Sequence, residues 1–276
     1  MDTRFWGPSG WKLLHLVAYE YEPTVKDKKA YAQFFETVPF ILPCKFCRAS
    51  LTDYYREHPY QNKGQILPDF NLTKWIYDIH NCVNDKLRKQ GLYPSPNPTF
   101  RKVDAFYKSW RTCDWYQQLS TFWDFLFAVA YNHPKETRHH SKPMPNCPPD
   151  IHECKDTCEK NKWNVLGFKE RMHWFTQFWH LLPAVLPLDI QKHWKRVQHM
   201  NPLTLDSRRS VLAWLWRMRC GLDTDFKDPY TSVCQRIASY SSDCGKKKRA
   251  ITCRKRRFTS VPRFGKTVKN KKSVRK

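Results

Sequence analysis

Leu42-Pro43-Cys44-Lys45-Phe46-Cys47 stands between two stretches of helical periodicity, and its reading decides the fold. A proline just before the first cysteine fits the start of a helix, where its fixed φ is pre-organised. A thiol at that place sees the positive end of the helix and ionises more readily, which disulfide exchange requires. Ala49 to Glu57 continue the helix and His58-Pro59 ends it. On its own the Cys-x-x-Cys fits half a zinc site, a thioredoxin-type motif or coincidence. A zinc site wants a second pair at similar spacing nearby, and this region has none. A thioredoxin reading needs strands in a βαβ pattern, whereas these flanks read as helices. The thiols therefore need another electron acceptor.

Upstream, Trp6 to Glu22 reads as a helix begun by Pro8 and Ser9, with Trp11, Leu14, His15 and Ala18 recurring at helical spacing. A second helix is expected over Lys28 to Ile41, with Phe34, Phe35 and Val38 on its apolar side. Downstream, Leu72 to Arg88 forms a fourth. There His80 and Asn84 share one face, and Asn81 and Asp85 lie beside them. Two polar pairs inside an otherwise apolar helix suit either a ligand rich in donors and acceptors or a solvated helix end. His15 is similarly a ligand residue or a satisfied core histidine, and Trp6 and Trp11 line a ligand or pack a core.

Trp6-Gly7-Pro8-Ser9-Gly10-Trp11-Lys12-Leu13-Leu14-His15, then Pro43-Cys44-x-x-Cys47, then His80-Asn81-x-Val83-Asn84-x-x-Leu87 resembles the signature of the Erv/ALR sulfhydryl oxidases, in order and at family spacing. The resemblance covers roughly residues 4–110. It implies an all-α fold, a four-helix bundle with a short fifth helix, holding FAD at the mouth of the bundle. It implies an FAD-dependent thiol oxidase that makes disulfides in thiol-containing protein substrates and reduces molecular oxygen to hydrogen peroxide. By the same resemblance Cys47 faces the flavin and Cys44 is the outer sulfur open to an incoming thiolate. Trp6, Gly7, Trp11, His15 and Tyr19 line the cofactor, while His80, Asn81, Val83 and Asn84 hold its adenosine half. Lys86 and Lys89 fall at phosphate-facing positions, and Tyr107 near a position usually held by an adenine-stacking Trp. A structural disulfide that joins the fourth and fifth helices in many relatives would begin near Tyr77 and is missing. Cys82 reads as a small buried residue.

The second half resembles a worn copy of the first. Trp123 to Tyr131 lines up with Trp11 to Tyr19, and Phe178 to Pro187 with Phe34 to Pro43. Asn201-Pro202 follows as His58-Pro59 did, and Trp214 falls where Trp75 fell. Leu188 and Gln191 stand in place of the two cysteines, Phe127 replaces His15, Arg219 replaces His80 and Cys220 replaces Asn81. The expected organisation is a cofactor domain over 1–112, then a degenerate helical domain over 113–244 with no FAD site, then a basic disordered tail over 245–276. A homodimer, or an internal pseudo-dimer of the two halves, is expected. An insertion over 133–161 carries Cys147, His152, Cys154 and Cys158. Cys154-x-x-x-Cys158 is a candidate electron shuttle, a structural bridge or part of a zinc knuckle, with Cys244 and Cys253 as second shuttle candidates.

Composition frames these readings. The chain has 276 residues, 41% hydrophobic and 15% aromatic, with 12 Trp and only 8 Gly, which suits packed helices around flat ligands rather than Gly-rich phosphate loops. Its formal net charge is +24, and 15 of its 49 Lys/Arg lie between Gly245 and Lys276 with no Asp or Glu among them. Such an arm attracts polyanions such as nucleic acid. A non-enzymatic scaffold that binds nucleic acid through it is therefore the rival reading. No apolar run reaches the ~18 residues of a membrane span, and no secretory signal is read at the start. Eleven cysteines without a secretory signal resemble the oxidases of large DNA viruses, which implies action in the host cytoplasm or the virion.

Overall fold

The Asp2 carboxylate accepts from the Arg4 backbone N–H, one of the donors a helix start leaves free, and so sets the beginning of α1, Thr3–Glu20, in the computed structural model. The structure describes residues 1–22, 28–93, 95–136, 142–241 and 252–254. The expected start at Pro8 and Ser9 is thus corrected: Pro8 lies inside α1, where it removes a single N–H, and the Asp2 cap outweighs that loss. Ser9 caps a different helix, its Oγ accepting from the Phe125 backbone N–H at 3.0 Å, in the first turn of α7 (Trp123–Tyr131).

Helices α2 (Lys28–Ile41) and α3 (Lys45–Glu57) follow, with Cys44 as the N-cap of α3. A two-residue hairpin, β1 (Gln61–Asn62) and β2 (Gln65–Ile66), turns through Lys63 and Gly64, both at positive φ as a tight hairpin turn requires. Asn71 caps α4 (Leu72–Lys89) and Thr99 caps α5 (Phe100–Arg111). Short α6 (Trp115–Ser120) leads into α7. Beyond the insertion, with its short α8 (Thr157–Lys162), come α9 (Phe168–Val185), α10 (Leu188–Met200), α11 (Arg208–Leu222) and α12 (Tyr230–Ser239). The all-α class expected from the sequence is what the chain adopts.

The same helix pairings occur on both sides. In the first half α1 packs on α4 and α5, α2 on α3, and α3 on α4. In the second, α7 packs on α11 and α12, α9 on α10, and α10 on α11. One side-chain bond recurs as well: Trp75 Nε1 donates to the His58 carbonyl at 2.8 Å, and Trp214 Nε1 to the Asn201 carbonyl at 3.0 Å. Each of those carbonyls belongs to the residue that ends α3 or α10, where a helix leaves acceptors without internal partners. The halves meet through α1 on α7 and α2 on α9. Phe34 and Phe178, fully buried, stack there with ring centroids 5.8 Å apart. Among the described residues no helix is long and apolar enough to cross a membrane.

At this seam Gly10 lies against the fully buried Phe125 ring: a Cβ on Gly10 would meet Cδ2 at 2.9 Å. Gly10→Ala gains about 0.5–1 kcal/mol of helix propensity, but overpacking a closed contact costs about 1–3 kcal/mol. We expect the substitution to lower unfolding stability in a denaturant titration, and Gly10→Ala combined with Phe125→Leu to recover part of the loss.

Candidate redox and cofactor site

Cys44 ends the extended stretch before α3, and its carbonyl accepts from the N–H of Cys47 at 3.0 Å and of Arg48 at 2.9 Å. This closes the first turn and brings the two cysteine side chains onto one end of the helix. Both are thiols in this structure, Cys44 2% exposed and Cys47 half-buried. Burial pushes the Cys44 thiol up. The hydrogen bond from Cys47, the charge of the chain's amino group and Arg48 outweigh that effect and bring Cys44 down from 9.0 to about 6. Cys47 is pushed well up, first by holding the shared proton against Cys44 and then by burial, while Lys86 pulls the other way. The pair titrates as a unit, with Cys44 carrying the first negative charge.

Beside the thiols lies a cavity of about 500 Å³. Trp6, Gly7 and Trp11 of α1 wall one side, His80, Val83, Asn84 and Lys86 of α4 another, with Tyr107 of α5 and both cysteines completing it. A smaller adjoining cavity of about 210 Å³ is lined by His15 and Asn81 together with His80, Asn84 and Tyr107. Helical spacing accounts for the grouping, because residues three and four apart share a face. Trp11 stacks on His80 at 3.9 Å and His15 on Tyr107 at 4.4 Å, each pair within 11° of parallel.

The histidines are coupled to each other, His15 Nε2 lying 3.1 Å from His80 Nδ1. Burial, aided by His80, holds the His15 pKa well below 6.5, and burial lowers His80 to about 4. Both rings are therefore neutral at pH 7, and one donates to the bare nitrogen of the other. His15 Nδ1 and Trp6 Nε1 are buried with no hydrogen-bond partner among the described residues. Lys86 reaches from α4 to α3, donating to the Phe46 carbonyl at 3.2 Å and to Ser50 Oγ.

Two further expected residues line neither cavity. Tyr19 stacks on Tyr107 and donates to Asp104 at 3.1 Å, and Lys89 is exposed in the last turn of α4. Cys82 is half-buried, its sulfur 3.8 Å from His58 Nε2. Cys154 and Cys158 are free thiols, Cys158 exposed at the start of α8. That helix lies along the later part of α3, with Arg56–Glu159 at 2.6 Å and Lys162–Asp53 at 2.9 Å, away from the turn that carries Cys44. Among the described residues no group of three or more His, Cys, Asp or Glu is placed to hold a metal ion. Lys12, Tyr93, Thr252 and Arg254 also line the larger cavity and have no counterpart in the sequence reading. Lys12 follows Trp11 and could have been read from the motif. Nothing local signals Thr252 or Arg254. The rest of 245–276 lies outside the described residues.

The description Erv1 / Alr family matches residues 8–110, the segment that builds this site. A probable FAD-linked sulfhydryl oxidase of Acanthamoeba polyphaga mimivirus is 38% identical over 106 residues, 37% of this chain and 73% of that protein. The mitochondrial FAD-linked sulfhydryl oxidase of Saccharomyces cerevisiae is 38% identical over 90 residues, 32% of this chain and 46% of that protein. A putative FAD-linked sulfhydryl oxidase of Invertebrate iridescent virus 6 is 34% identical over 94 residues, 32% of this chain and 85% of that protein. No solved structure matches the chain. With its cysteine pair opening on a cavity walled by the motif residues, and with relatives of this identity and coverage, the chain belongs to the Erv1 / Alr family.

Proposed function

We propose that this chain is an FAD-linked sulfhydryl oxidase, a thiol:oxygen oxidoreductase that forms disulfides in protein substrates. The observation that carries the reading is the Cys44–Cys47 pair on the wall of a cavity lined by stacked, neutral aromatic rings. The residues present fit FAD. The smaller cavity shares His80, Asn84 and Tyr107 with the larger, and Arg4, Lys12 and Lys86 line the larger one with positive charge suited to two phosphates. The unpartnered Trp6 Nε1 and His15 Nδ1 offer polar atoms that a ligand would satisfy. Trp6, Gly7 and Trp11 would hold the cofactor from α1, and His80, Asn81, Val83, Asn84 and Lys86 from α4. His15 and Tyr107 would add a stacked wall, with Tyr19 supporting Tyr107 from behind.

In the oxidised enzyme Cys44 and Cys47 form a disulfide. A substrate thiolate attacks Cys44 Sγ, the Cys44–Cys47 bond breaks, and Cys47 leaves as a thiolate steadied by Lys86. A second substrate thiolate then attacks the substrate sulfur of the mixed disulfide and expels Cys44. The low Cys44 pKa of about 6 makes it a good leaving group in this step. Bound FAD would supply the two-electron acceptor by which the Cys44–Cys47 dithiol returns to its disulfide, with oxygen, reduced to hydrogen peroxide, as the final acceptor. The neutral imidazoles of His15 and His80 keep uncompensated positive charge out of the dry part of the site.

Residues 113–244 act in this reading as a degenerate, cofactor-free copy of the bundle and as its internal partner. The recurring helix pairings, the twin Trp75 and Trp214 bonds and the Phe34–Phe178 stack support it, since equivalent residues meet at the axis of a two-fold arrangement. The virus-encoded relatives support action in a host cytoplasm or virion. The basic arm would attract polyanions there, nucleic acid among them.

The purified protein is expected to be yellow, with a flavin absorption band near ~450 nm and oxygen uptake on addition of dithiothreitol. Cys47→Ser should keep the colour and lose the uptake. A colourless protein that takes up no added FAD would refute the oxidase. The ultraviolet thiolate absorbance of the reduced protein, less that of Cys44→Ser, should rise with pH around a midpoint near 6, because the depressed thiol ionises there instead of near 9. In sedimentation the full chain should run as a monomer, its α1 and α2 faces already covered, whereas residues 1–112 alone should self-associate or aggregate.

A further inference from the structure

Residues 252–254 return from the far end of the sequence to the cofactor cavity. Thr252 and Arg254 line its wall, and Cys253 between them is fully buried in the core and disulfide-bonded. The buried residue fixes the segment, and its two neighbours are presented to the cavity.

The Arg254 side chain is held from two sides. Its Nε donates to Thr3 Oγ1 at 3.1 Å and its Nη1 to the Leu92 carbonyl at 2.7 Å. Thr3 opens α1 and Leu92 follows the last turn of α4, so the guanidinium bridges the two helices that carry Trp11 and His80. Asp2, whose charge it feels, is paired with Arg4 at 2.6 Å, and among the described residues Arg254 forms no ion pair of its own. Burial lowers its pKa, Arg4 adds to that effect, and Cys47 acts in the opposite sense, so the cation lies within electrostatic reach of the cofactor-facing thiol. A guanidinium has five N–H donors, and two neutral acceptors do not use them up. A cation seated by neutral groups on a ligand cavity, with no ion pair among the described residues, is arranged to meet an anionic ligand.

We propose that Arg254 is a cofactor-binding residue, a guanidinium that the C-terminal arm delivers to the cavity wall near Cys47 to bind FAD and favour its reduced, more negative form. The inference rests on the FAD reading above. A fixed positive charge next to a ring that gains negative charge on reduction raises its affinity for electrons. The arm is then part of the redox site at this point, whatever its remaining basic residues do.

The test uses the full chain. FAD affinity, the reduction potential of the bound flavin and the thermal midpoint of the apoprotein are compared for wild type, Arg254→Gln and Arg254→Lys. Arg254→Gln should weaken FAD binding by about tenfold or more, the range expected for losing a hydrogen bond to a charged group. It should also make the flavin harder to reduce, and Arg254→Lys should recover part of the potential. A yellow wild type beside an Arg254→Gln variant with unchanged affinity and potential overturns the inference, even if the apoprotein midpoint falls, because that pattern describes a clasp and nothing more. Should Arg254→Gln fail to fold, Thr3→Ala keeps the charge but loosens its seat. A weaker shift in the same directions supports the proposal, and none overturns it. A wild type that binds no FAD refutes the oxidase reading itself, a result distinguishable from the others.

Discussion

Burial of α1 on every side is the constraint on which the rest of the structure depends. From Leu13 to Tyr19 each residue is nearly inaccessible. A helix apolar all round has to be surrounded, and the α4–α5 pair on one side and α7 on the other share the task. Helices α4 and α5 take the face bearing His15 and Tyr19, and α7 takes the face bearing Gly10. Remove either neighbour and several fully buried aliphatic side chains meet water, at about 1.5–3 kcal/mol each. The cofactor cavity lies at the open end of this arrangement, its walls fixed by helices already committed on their other faces.

The turn that carries the cysteines shows how local chemistry settles a function. Proline and the helix N-terminus were visible in the sequence, and they account for where Cys44 sits. They do not account for which thiol ionises first. That difference comes from the proton shared with Cys47, from the chain's amino group and from Arg48. Arg48 is placed in turn by the Leu42 carbonyl at 2.8 Å and by Asn164 at 2.5 Å, the latter from the far side of the insertion. A residue 116 positions from Arg48 thereby bears on the electrostatics of Cys44.

What could be read in advance follows the range of the interactions. Helix α2 was legible to the residue, since its apolar side recurs at helical spacing throughout. The Trp11, His15, His80 and Asn84 set was legible because each helix lays its own residues on one face. The start of α1 was misplaced because two turn-forming residues, Pro8 and Ser9, masked a better cap at Asp2; Ser9 spends its hydroxyl on α7, a partner 116 positions away. Arg254 was illegible for the same reason in stronger form. Its contacts lie 162 and 251 positions off, and a cation in a run of cations gives no sign of being the one that is folded in.

Consider finally the stacked Phe34 and Phe178 at the seam. In a pair of identical subunits a substitution at such a place is made twice, and both copies must accept it together. Here the two rings are separate codons in one chain. Each side of the seam can drift alone, a change on one tolerated through a compensating change on the other. Holding both rings in one chain thus makes the two sides of the seam independently inherited surfaces.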